Sequence, residues 1–233
     1  MERICFQSIL WSSKSKSLKV CIIVGLLTLS VLGQTRQETK NLLPDDILER
    51  PVPGNDLEYY ATTDAFYASL GRARVAGGMV KIVSCEEDKF KQALRPMGSP
   101  LRQILDAIVV ADTRHRWEVQ DGVINLLPAD GEPALLGIRI TEFQAKNVTS
   151  ARDALSQLMA LPEVKKGRDD LNLKPGVALI NSLSSPNPPA FSVRCKNATL
   201  RDALNAIARA QGQAIWEYIE IHCDGKHEVV IRF

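Results

Sequence analysis

Leu101–Glu118, LRQILDAIVVADTRHRWE, and Leu200–Glu217, LRDALNAIARAQGQAIWE, align without a gap at an offset of 99 residues. Eight of the 18 positions are identical, where ordinary composition gives about one. The matches include Leu101/Leu200, Leu105/Leu204, Ile108/Ile207 and Trp117/Trp216. They fall mainly on one helical face and on the strand after it, so the repeat reports architecture.

Each copy reads as a helix followed by a hairpin. Leu101, Ile104, Leu105 and Ile108 recur at helical spacing, with Ser99 as the expected cap and Pro100 at the first helical position. Strands at Trp117–Val119 and Val123–Leu126 flank Asp121-Gly122, a dipeptide suited to a two-residue turn with positive φ. Thr199–Ala210 is the second helix, and Ile215–Cys223 and His227–Phe233 form a hairpin over Asp224-Gly225. Upstream, Thr63–Arg74 has a helical apolar face, ended by Gly77-Gly78. A strand follows in which Val80 and Ile82 share one side and Lys81 takes the other. Between the copies lie a strand over Gly137–Phe143 and a helix within Thr149–Leu161. Ser150-x-x-Asp153 echoes Thr199-x-x-Asp202, both close to a capping box. The expected fold class is α+β, two related units of helices packed on small antiparallel sheets. The units span 57–128 and 137–233, and the second carries an irregular excursion at 162–190.

The N-terminus has a different character. Arg3, Lys14, Lys16 and Lys19 precede a 14-residue apolar run, Val20–Gly33, which ends in a small-residue pattern. Residues 1–33 therefore read as a signal peptide, or as a signal anchor if uncleaved, although the run is short of the roughly 20 residues that span a bilayer. Residues 34–56 are polar, carry three prolines, and read as a linker. Without the leader, 25 basic residues stand against 26 acidic ones. This near neutrality argues against nucleic acid as a partner. The expected location is periplasmic or secreted, with membrane contact only through an uncleaved N-terminal segment.

The helix opened by Ser or Thr with Leu-Arg-x-x-Leu, then a short strand, a Gly-bearing turn and a closing strand, resembles the short N-terminal domain (STN) of secretins and TonB-dependent receptors. The closing half appears as Ser99–Leu127 and again as Thr199–Phe233, with Asp64–Val83 as the opening helix and strand. Trp117–Asn125 and Leu161–Val164 are also similar to stretches in exported proteins of acidobacterial type. The resemblance covers roughly two thirds of the chain. It implies a duplicated β-α-β arrangement that docks envelope proteins. With no pore or barrel before Phe233, that role falls to a free-standing protein.

Chemistry-bearing residues are few. Across the second Asp-Gly turn His222 should stand opposite His227, with Glu220 two residues back on the same face. Two imidazoles and a carboxylate are suitable metal ligands, and a polar hairpin tip explains the same residues without an ion. Trp117 and Trp216 read as packing on the helix stripes, with an aromatic binding platform as the alternative. His115, between two arginines, reads as exposed. Asn147-Val148-Thr149 and Asn197-Ala198-Thr199 match the glycosylation sequon but sit where helices should be capped. Of Cys85, Cys195 and Cys223 in the body, one pair can bridge in an oxidising compartment. Cys195 with Cys223 is the candidate disulfide, with Cys85 also available. No Gly-x-Ser-x-Gly, phosphate loop or His-Glu-x-x-His occurs. The expected function is a non-catalytic interaction module without a cofactor, and the alternative is a metal-dependent hydrolase or other ligand-binding exported protein.

Overall fold

The computed structural model describes residues 45–53, 61–85, 98–176 and 189–233. Its helices are α1 (Asp45–Leu48), α2 (Thr62–Ala73), α3 (Leu101–Ala111), α4 (Ala151–Met159), α5 (Pro162–Asp170) and α6 (Leu200–Gln211). The strands are β1 (Gly77–Val83), β2 (His115–Gln120), β3 (Val123–Pro128), β4 (Arg139–Val148), β5 (Lys174–Pro175), β6 (Phe191–Thr199), β7 (Ile215–Cys223) and β8 (Lys226–Arg232). The fold is α+β, and the two aligned segments adopt the same elements, helix then strand. Both hairpins turn as their dipeptides require, with φ of 51° and 77° at Asp121-Gly122 and 54° and 72° at Asp224-Gly225.

Six strands form one mixed sheet in the order β2-β3-β1-β7-β8-β5, and β4 pairs with β6 in a separate antiparallel sheet. The units expected at 57–128 and 137–233 therefore do not close sheets of their own. β1 lies between the hairpins, parallel to β3 on one side and to β7 on the other. The described residues all belong to one compact unit.

The large sheet is apolar on both faces. Met79, Ile124 and Leu126 meet Phe66 and Leu70 of α2 and Leu105 and Ile108 of α3 in one buried cluster. Val80, Val123, Leu127 and Trp216 join Leu204 and Ile207 of α6 in the other. Trp216 is fully buried beside β1, and a Cβ on Gly78, its register partner, would fall inside the indole. A Cβ on Gly77 would likewise strike Leu70. The Gly77-Gly78 pair is thus the start of β1, where backbone and ring approach closely, and not the stop of α2. That helix ends at Ala73, with Arg74 in the left-handed conformation at φ 55°.

Polar contacts anchor each tryptophan to the helix of its own half and join α6 to β2. The Trp216 indole N–H donates to Asn205 at 2.8 Å, and the equivalent Trp117 N–H donates to Asp106 at 2.9 Å. Gln120 of β2 donates to Asp202 at 2.7 Å, and Arg201 of α6 donates to Glu118 of β2 at 3.0 Å. Asp202 meanwhile completes a capping box with Thr199.

Other local expectations change. Pro100 occupies the cap position of α3 in place of Ser99, and Leu101 N–H donates to Arg50 O. Within the expected linker, Leu48 and Val52 are buried against the α2–α3 cluster, so 45–53 is part of the folded body. The excursion contains α5, which opens on Pro162 and buries only Val164, too little for an apolar stripe. Residues 1–33, most of the linker and 177–188 lie outside the described residues. No helix among the described residues is long and apolar enough to cross a membrane.

Gly78→Ala is expected to lower stability by about 1–3 kcal/mol through overpacking. In a Trp216→Leu background the same change should cost markedly less, because the two sites touch. Denaturant unfolding of the four proteins measures this, and an equal cost in both backgrounds would exclude the indole as the cause.

Candidate functional site

The tip of the β7–β8 hairpin gathers the residues with the most chemical potential. The two-residue turn sets the register, so His222 pairs with His227 and Cys223 with Lys226. Alternation along β7 puts Tyr218, Glu220 and His222 on one face. His222 Nε2 lies 2.8 Å and His227 Nε2 3.7 Å from Glu220 Oε1, and the ring centroids are 4.7 Å apart. Tyr218 donates its hydroxyl hydrogen to the other carboxylate oxygen, Oε2, at 2.5 Å. Burial, reinforced by the Glu220 hydrogen bond and charge, pushes the Tyr218 hydroxyl well above its ordinary range, so it remains a donor. Glu220 is mostly buried, with Ile82 and Val229 as its register partners on β1 and β8, whereas both imidazoles are partly open to solvent. The structure therefore brings together the three residues singled out from sequence and adds Tyr218.

The disulfide differs from the expected one. Cys85 bonds Cys223, with Cα atoms 5.0 Å apart, and Cys195 is a free thiol. The parallel register explains the pairing. From Gly77↔Ile215 to Val83↔Ile221 the offset is constant, and carrying it two residues onward puts Cys85 opposite Cys223. Cys195 belongs to the other sheet, where it faces Phe143, and burial raises its thiol pKa. By alternation the disulfide lies on the face of β7 opposite to the imidazoles, so it fixes the strand end that carries them.

A second polar cluster was not apparent from sequence. Asp112, just past α3, is almost fully buried and accepts from Thr62 Oγ1 at 2.5 Å and from Arg114 at 2.7 and 2.9 Å. His115 Nδ1 lies 3.1 Å from the same carboxylate, and its side chain is only 13% exposed, contrary to the expected solvent position. Burial works to raise the Asp112 carboxyl, but hydrogen bonds from Arg114 and Thr62, with the neighbouring positive charge, hold it well below the usual carboxylate range. The Asp-x-x-His spacing was visible in the sequence, but Thr62, fifty residues away, was not. Because Thr62 donates to the Asp112 carboxylate, this geometry ties α2 to the end of α3.

The sequons serve the backbone. Asn147 and Asn197 adopt left-handed φ of 51° and 50°, and Thr199 of the second sequon caps α6, whereas α4 is capped by Ser150, the residue after the first.

Peptide mapping of the non-reduced protein should recover Cys85 linked to Cys223, with Cys195 free. A peptide joining Cys195 to either of the others would contradict the pairing. Cys85→Ser should lower stability by about 2–4 kcal/mol.

No protein-family model, curated protein or solved structure matches the chain.

Proposed function

We propose that the chain is an exported module of the bacterial envelope that acts by binding a protein partner, periplasmic or secreted, or held at the inner membrane if residues 1–33 remain attached. The observation that carries this reading is the outer edge of β2. The two-residue turn makes Gln120 and Val123 a hydrogen-bonded pair, and such pairs alternate along an antiparallel ladder. Arg116, Glu118 and Gln120 thus spend their backbone groups on β3, while Trp117 and Val119 direct theirs outward. Among the described residues no strand lies on that side. An extended segment of a partner can add there through main-chain hydrogen bonds. The charged Arg116 and Glu118 side chains disfavour indiscriminate pairing.

The Cys85–Cys223 bond supports an oxidising compartment. The likeness of the helix–hairpin segments to the short domain of secretins and TonB-dependent receptors supports an envelope partner. A second reading, a metal-dependent hydrolase or other ligand-binding exported protein, draws on the hairpin-tip cluster.

Val119→Pro removes one outward N–H and no hydrogen bond to β3, so it should leave the fold intact and abolish strand addition. Wild-type protein is expected to retain a stoichiometric partner from envelope fractions, and Val119→Pro, with an unchanged circular dichroism spectrum, to lose it. The absence of such a partner, or equal retention by the folded variant, would overturn the reading.

A further inference from the structure

We propose that Glu220, His222 and His227 bind one first-row divalent transition ion, with Zn2+ as the probe. This inference is independent of the partner-binding reading. The donor set is two imidazoles and one carboxylate, which suits Zn2+ and its neighbours and is poorly matched to Ca2+ or Mg2+, which take oxygen ligands. The ligand atoms all lie within 4.8 Å of one another, and the shortest separation is 2.8 Å. A tetrahedral ion with bonds of about 2.0–2.1 Å needs its ligands roughly 3.3 Å apart, so small side-chain rotations on a fixed backbone close the site.

Three features favour an ion over a hairpin tip that is merely polar. Tyr218 holds Glu220 Oε2, which leaves Oε1, the oxygen nearest both imidazoles, as a single-atom ligand. Such outer contacts orient ligands before binding. The backbone at the tip is also fixed twice over, by the Asp224-Gly225 turn and by the adjacent disulfide that ties the end of β7 to the segment after β1. Finally, Ile82 and Val229 flank the carboxylate in register, while the imidazoles are 44% and 37% exposed. An ion there would have an apolar surround on two sides and open coordination positions toward solvent. Those positions would take water or a group from a bound molecule.

Titration calorimetry with Zn2+ on the chain with its disulfide intact, supported by Co2+ absorption, tests the site. Wild type should bind one ion per chain. His222→Ala and His227→Ala should each weaken binding at least about tenfold, and Tyr218→Phe about 10–100-fold as loss of an orienting partner. Asp224→Asn and Cys195→Ser should bind as wild type does. No saturable binding by wild type would overturn the proposal, as would equal binding by a folded His222→Ala/His227→Ala double variant or loss of binding on Asp224→Asn. Imidazole NMR of wild type keeps the test independent of variant folding. Zn2+ should shift His222 and His227 together and leave His115 unmoved, and any other pattern contradicts the assignment.

Discussion

The structure depends on the parallel pairing of β1 with both β3 and β7. Neither hairpin touches the other in the sheet except across this strand. The pairing is possible because Gly77 and Gly78 bring no side chains to the places that Leu70 and Trp216 fill. A side chain at Gly78 would have to displace the indole, and with it the bond to Asn205 that orients α6. Close packing makes such a position intolerant of even one added carbon.

From that strand the other relations follow. Helix α6 comes from the second copy of the repeat, yet it reaches β2 of the first through Gln120–Asp202 and Arg201–Glu118. The same Asp202 caps its own helix, so the capping box and the junction between the halves share one carboxylate. On the other sheet face, the Thr62–Asp112 bond connects α2 with the end of α3. The constant β1–β7 offset also brings Cys85 to Cys223, and thereby fixes the strand end that carries Glu220 and His222.

What the sequence made legible was local. The Asp-Gly turns, the helix stripes, the Thr199 cap and the cross-strand His222–His227 pair rest on spacings of a few residues, and all appear in the structure. What it concealed was nonlocal. Parallel neighbours 138 residues apart leave no local trace, so the Cys85–Cys223 bond was unreadable and Gly77-Gly78 looked like a helix stop. Helix α5 was hidden because it buries one residue, and 45–53 looked like a linker because only Leu48 and Val52 insert into the core. The Glu220 site was half legible. The hairpin placed Glu220, His222 and His227 together, but the flanking Ile82 belongs to a strand whose pairing with β7 could not be foreseen.

Native-state hydrogen exchange tests the central role of β1 most directly. If β1 joins both hairpins into one cooperative sheet, the Gly77–Val83 amides bonded to β3 and β7 exchange only through global unfolding, and the inner strands of both hairpins share that free energy. Exchange of β1 by local opening, or β3 and β7 exchanging at clearly different free energies, would contradict the account.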